Sequence, residues 1–430
     1  MTSRRPRPPE APDAGDFSRP PEAPADGDVL RPPDAPADVN IPHGPRAQAD
    51  GDASRTAVEP LVVEAPVVEA PGEGPEDGPS APGGAVVISR RVGRRAAVAV
   101  VAVLVVAGCG LAGLLVGAAG ISPWAVVLQV LDWLPFVHVG SGLSPVEQSL
   151  LWELRLPRVL LAGIVGGLLA LAGAGYQGVF RNPLADPYLL GAAAGAGLAV
   201  TLVVVVTGGS AGAAVPVAAF AGAVGGVLLA YALGSTAGRG AGGTATLVLA
   251  GVAVTSFLTA IQTFAQQLRV EELRRVYAWI LGDVSGGWDD VRLVLPYAVV
   301  ATVVLLLHGR MLDVLSVGDD EAVSLGVRAS RVRLAVLLAA CLATAAAVAV
   351  SGLIAFVGIV VPHVVRRLAG GSYRVVLPLS LAGGAAFLVL ADMVARTVLA
   401  PAELPIGVVT AFVGAPFFVL VLRMTRRVET

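Results

Sequence analysis

The run LRLPRVLLAGIVGGLLALAGAGYQGVFRNPLADPYLLG, residues 154–191, decides the fold class. Between Arg158 and Arg181 it carries no charge and consists of apolar or small residues, apart from one Tyr and one Gln. That is the length of a helix crossing a bilayer, about 20 residues. The chain then places Arg-Asn-Pro and Asp-Pro in a row. Neither Pro183 nor Pro187 fits a helix interior, so each ends one helix or opens another. Asn182 and Asp186 each precede a proline, which favours a turn and an N-cap. Arg181, Asn182, Pro183, Asp186 and Pro187 therefore read as a tight reversal at a membrane face, followed by re-entry through Gly- and Ala-rich sequence.

The same apolar length recurs outward from this stretch. Of 430 residues, 55% are hydrophobic and 14% charged, with a mean hydropathy of +0.76. A soluble protein of this size needs far more polar surface. The expected fold class is all-α, a polytopic helical membrane protein with about ten transmembrane helices: 96–118, 158–180, 188–207, 213–233, 245–267, 291–309, 333–350, 353–369, 375–398 and 405–424. Arginines crowd one side, among them Arg94, Arg95, Arg181, Arg310, Arg331, Arg366, Arg367 and Arg426. Fewer lie on the other. This bias predicts that both termini are cytoplasmic.

Residues 1–88 differ from the rest. They are rich in Pro, Ala and acidic residues and repeat RPPEAPDAGDFS, RPPEAPADGDVL and RPPDAPADVNIP from Arg7, Arg19 and Arg31. The period is too short and too proline-rich for a solenoid. A disordered, extended tail is expected, joined to a membrane domain at 89–430.

Composition also limits the chemistry. All 30 basic residues are arginine. A P-loop needs a lysine on the nucleotide phosphates, so any ATP hydrolysis belongs to another chain. Cys109 and Cys341 each lie in an apolar run and suggest no disulfide framework. The spans show no Ser/His/Asp set, HExxH or His/Cys/carboxylate spacing. No catalytic site, no metal site and no cofactor are expected in this chain, and no nucleic-acid partner.

Three further groups stand out. Thr255, Thr259, Gln262 and Gln266 recur at helical spacing in the fifth span. Polar groups in a membrane helix either bond across helices or line a wet path, and spacing alone leaves both open. VGDDEAVSLGV, residues 317–327, lies in the longest connection on the arginine-rich side. Gly318 opens one or two short helices there. Asp319, Asp320 and Glu321 suit a first turn electrostatically, and Gly326 closes it. Finally, Arg155, Arg158 and Arg396 sit at span ends on the other side. Asp392 precedes Arg396 by four residues, which permits a simple intrahelical ion pair.

Together these stretches resemble the FecCD family, permease subunits of ATP-driven importers for ferric siderophores, haem and cobalamin. LVLAGVAVTSF (247–257), WILGDVSGGWDDV (279–291), SGLIAFVGIVVPHVVRRL (351–368) and ADMVARTVLAPAELPIGVVTAFVGAPFF (391–418) complete the match. It runs in order from the first span to the C-terminus and omits the tail. The resemblance implies a permease subunit without enzymatic activity in a bacterial cell membrane. It implies a homodimer or a heterodimer with a paralogous permease in the lipid bilayer, ABC ATPase subunits, and an extracytoplasmic substrate-binding protein. It makes the 181–187 turn a family signature. It assigns ATPase coupling to Val317, Gly318, Asp319, Asp320, Glu321, Ala322, Leu325 and Gly326. It favours the path reading for the fifth span, and binding-protein docking for Arg155, Arg396 and, less closely, Arg158. Ferric siderophores are the first expectation for the cargo, cobalamin or haem the alternative. A secondary transporter is the main rival, but it calls for an ionisable group at mid-membrane, and Asp392 is the nearest candidate.

Overall fold

The computed structural model describes residues 83–117, 120–133, 138–208, 210, 212, 214–237 and 243–426. The expected disordered tail falls, up to residue 82, outside the described residues. The chain runs through α1 (Gly83–Leu115), α2 (Pro123–Asp132) and α3 (Pro145–Ser149). A π-helical stretch, Leu150–Arg155, leads from α3 into α4 (Leu156–Phe180). Then follow α5 (Ala192–Thr207), α6 (Ala214–Ala237), α7 (Gly243–Leu268), α8 (Leu273–Ile280) and α9 (Trp288–Leu307). The chain continues through α10 (Gly309–Val317), α11 (Asp319–Ser324), α12 (Ala329–Ser351), α13 (Val357–Ala369), α14 (Tyr373–Thr397) and α15 (Ile406–Arg426). Among the described residues there is no strand. The first described helix starts at Gly83, ahead of the expected boundary at 88–89.

Each expected span coincides with a helix, and among the described residues 7 helical segments are long and apolar enough to cross a membrane. They are α1, the run Pro145–Phe180, α6, α7, α9, α12 and α14; the apolar stretch Ile406–Val421 of α15, on the expected span 405–424, is shorter. The expected spans at 188–207 and 353–369 need correction, because both are interrupted at their starts. Pro187–Leu190 forms a 3-10 turn closed by Gly191 at φ 82, so α5 begins only at Ala192. Gly352 at φ 66 and Phe356 at φ 70 keep the stretch before Val357 out of the helix, leaving α13 with 13 residues. The two interruptions meet: the Tyr188 hydroxyl donates to Ile354 O and accepts from Ile354 N–H, both at 3.2 Å. Backbone groups freed by a broken helix need such partners inside a membrane.

α4 is the hub. Most of its side chains are buried, and it packs against α14, α12, α13 and α9. Close approach rests on glycine. A Cβ on Gly166 would lie 2.2 Å from Gly384 O, and one on Gly195 would lie 2.0 Å from Gly222 O. Backbones meet at these crossings, where dispersion and small residues hold membrane helices together without a hydrophobic drive between them. α1 and α7 lie at the periphery, with most of their surface exposed.

Candidate functional site

The 181–187 turn is built by its own polar residues. Arg181 adopts the left-handed conformation, φ 50, and ends α4. Asn182 Oδ1 accepts from Leu184 N–H at 2.9 Å, and Asp186 Oδ1 accepts from Tyr188 N–H at 2.7 Å, capping the 3-10 turn. Pro183 is exposed, whereas Pro187 is buried with its ring against Gly358. Burial raises the Asp186 carboxyl to about 6, against the opposing hydrogen bond from Tyr188 N–H. One turn earlier on α4, Gln177 donates to Gly358 O at 3.0 Å and accepts from Arg366. The turn is thereby fixed to α13.

The 317–327 segment folds as the end of α10, an extended Gly318 and the short α11. Asp319, Asp320 and Glu321 occupy the first turn of α11. Gly326, at φ 75, closes it, and Val327 N–H donates to Ala322 O at 2.8 Å. Ala322 is fully buried and seats α11 on the core. Val317, Val323 and Leu325 point outward, 73%, 66% and 68% exposed.

Sequence reading treated the turn and this segment separately; the structure joins them. Arg181 Nε donates to Leu315 O at 2.7 Å, and its guanidinium also binds the Asp319 carboxylate. Asp319 accepts from Arg333 of α12 as well, at 2.6 Å. The Arg333 hydrogen bond, then the nearby positive charge of Arg333 and Arg181, hold the Asp319 carboxyl below the usual carboxylate range. Asp313 of α10 accepts from Tyr373 N–H at 2.5 Å and from Ser372 Oγ at 2.8 Å, capping α14. Arg333 and Asp313 were not singled out from sequence. Their partners are remote in the chain, so no local pattern marks them.

At the opposite end the three expected docking arginines turn inward. Arg155 Nη1 donates to Leu114 O at 3.0 Å. Arg396 donates to Val116 O at 2.7 Å and Gly113 O at 2.8 Å. Both are buried, and both satisfy carbonyls at the end of α1 that have no partner within the helix. Arg158 bridges Asp392 and Glu403, each at 2.8 Å. Asp392 and Arg396 also form the i,i+4 pair at 3.1 Å. Arg155 and Arg396 thus hold the end of α1, a contact that their positions in the sequence do not reveal.

The four polar residues of the fifth span share one edge of α7 but not one environment. Gln262 and Gln266 are buried; the Gln262 side chain lies against Gly197 of α5. Thr255 is half-buried and only Thr259 is exposed. Gln262 therefore makes an interhelical contact, one of the two roles that the spacing left open. Thr259 belongs to an outward column with Ser256, Thr263 and Gln267, near which Leu249 and Phe264 are also exposed. Ser256 and Thr263 bond back to Val252 O and Thr259 O, at 3.0 and 2.9 Å, so the helix itself satisfies these hydroxyls.

An all-helical, multi-pass bundle with interrupted helices, a charge-tethered connecting segment and arginine-capped ends leaves one comparison decisive. The model of the FecCD transport family matches residues 101–424. The chain belongs to the FecCD transport family. FecCD relatives agree along most of its length. The cobalamin import system permease protein BtuC of Halobacterium salinarum is 43% identical over 287 residues, 66% of this chain and 75% of that protein. The Fe(3+)-citrate import system permease protein YfmD of Bacillus subtilis is 37% identical over 342 residues, 79% of this chain and 98% of that protein. A solved structure, "an inward-facing conformation of a putative metal-chelate type ABC transporter", superposes with a TM-score of 0.65 at 28% identity, covering 75% of this chain and 97% of that one. This FecCD chain is thus a multi-pass permease subunit of an ABC importer, with ATP hydrolysis on a separate subunit.

Proposed function

We propose that this permease carries ferric siderophore complexes across a bacterial cell membrane. It receives them from an extracytoplasmic binding protein and is driven by ABC ATPase subunits that dock on α10 and α11. The carrying observation is the bare Val317, Val323 and Leu325 surface on a segment tethered to the hub helix through Arg181. A partner that seats on this trio and moves it moves the end of α4. Two copies, or one copy and a paralogue, enclose the path along the exposed polar column of α7. Arg155 and Arg396 serve the binding protein indirectly, by holding the end of α1. Arg158 is the least buried of the three and, bridged to Glu403, stands nearest the surface.

The similarity to an Fe(3+)-citrate permease over nearly that protein's whole length favours an iron chelate. Cobalamin is the second reading, favoured by the BtuC relative. The test is uptake in a deletion strain and its complemented twin, given radiolabelled iron on several siderophores, labelled cobalamin and labelled haem, with and without ATP depletion. Energy-dependent iron uptake that disappears and returns with the gene supports the proposal. Loss of cobalamin or haem uptake alone overturns the substrate.

A further inference from the structure

α2 has the sequence PWAVVLQVLD, with no charge before Asp132. At about 1.5 Å per residue it spans about half the hydrocarbon thickness, so it cannot cross. Its outward face is largely apolar. Val126 and Gln129 face the protein, and the Gln129 amide oxygen accepts from Ser141 Oγ at 2.7 Å. Trp124 and Leu131, seven residues apart on one helix face, are 68% and 39% exposed, with Leu128 half-buried between them. Such a face does not suit water.

α2 packs against α1, a helix of membrane-crossing length whose Val100, Val103 and Leu104 are exposed. The tryptophans point the same way. Trp124, Trp133, Trp152, Trp279 and Trp288 are the only ones in the chain, and all lie in or beside the connections at this end. Trp152 packs against both Trp133 and Trp288 at 5.3 Å, and Trp288 Nε1 donates to Trp152 O at 2.9 Å. Tryptophan concentrates at the membrane–water boundary, where its apolar ring and N–H meet different surroundings.

We infer that α2 lies within the bilayer interface at the end opposite α11, with Trp124, Leu128 and Leu131 turned into lipid. α2 would then set the depth of this end, while Arg155 and Arg396 hold α1 in register with it.

The full chain carrying Cys109→Ala and Cys341→Ala would receive a nitroxide at position 124, 131 or 320 and be reconstituted in phosphatidylcholine vesicles. At 124 and 131, oxygen should relax the label more than a water-soluble nickel chelate does; at 320, on α11, the order should reverse. Nickel relaxation at 124 and 131 equal to that at 320 would place α2 in water and overturn the inference. Labels reached by neither reagent would also overturn it, placing a second protein surface there. Unlabelled protein supplies an independent measure. Brominated phosphatidylcholine should quench its tryptophan emission, and Trp124→Phe should remove a share of that quenching; an unchanged quenched fraction would count against lipid contact.

Discussion

Arg181 and Asp319 are 138 residues apart in the chain, yet their side chains meet. The same guanidinium holds Leu315 O. The end of the hub helix and the start of α11 therefore move together or part at a defined bond. The ion pair is partly exposed and worth little by itself; the bond to Leu315 O is charge-assisted and stronger.

Arg181→Ala should loosen α10 and α11 by about 1–2 kcal/mol, the scale of a lost hydrogen bond to a charged group. Protease nicking within 317–327 should speed up about 5- to 30-fold, provided that opening is fast relative to cleavage. ATP-driven uptake should fall while the chain still inserts. Arg181→Lys keeps the charge but cannot reproduce both contacts, so it should lie between. Unchanged nicking in both variants would remove the tether.

The Asp186 carboxyl, raised to about 6 by burial, makes the turn pH-sensitive. A carboxyl with a raised folded pKa contributes stability that is fully present below its unfolded pKa, about 3.9. That contribution is lost as pH rises through about 6. Thermal stability should therefore decline across this window. Asp186→Asn keeps a capping oxygen for Tyr188 N–H and should flatten the decline. Melting curves at stepped pH decide it, and an identical slope in the variant would be fatal to the idea.

Arg396→Gln should destabilise the chain by about 1–3 kcal/mol, because Gly113 O and Val116 O would lose their charged donor while Asp392 keeps Arg158. A docking residue at the surface would instead change binding-protein affinity and leave the melting temperature alone. Measuring both on one preparation separates the roles.

Cysteines placed singly at 256, 259, 263 and 267 should react with a water-soluble thiol reagent in the assembled transporter, and those at 249 and 264 should react more slowly. Uniform reactivity, or none at the polar positions, would move the path away from this face of α7.

Removing residues 1–82 should leave uptake intact, since the family match, residues 101–424, lies wholly outside them. Loss of uptake at unchanged protein level would give the tail a function.

Much of this was legible because local rules are strong in membranes. Uninterrupted apolar length marks helices, since backbone groups in lipid must pair within the segment. Proline after Asn182 and Asp186 marked the turn, and Gly318 and Gly326 marked the ends of α11. The interruptions before α5 and α13 were harder to see. Residues 188–191 and 353–356 are as apolar as the helices they precede, and what keeps them irregular is mutual bonding through Tyr188 and Ile354.

The sequence by itself determined the membrane class, the approximate helices, the signature turn and the family resemblance, because each rests on residues adjacent in the chain. Only the tertiary structure decided what the charges do. That Arg155 and Arg396 meet the end of α1, and that Gln262 lies against Gly197 of α5, cannot be read from their spacing. A charge in a low-dielectric bundle takes the partner that packing brings within reach, and chain order does not encode that partner.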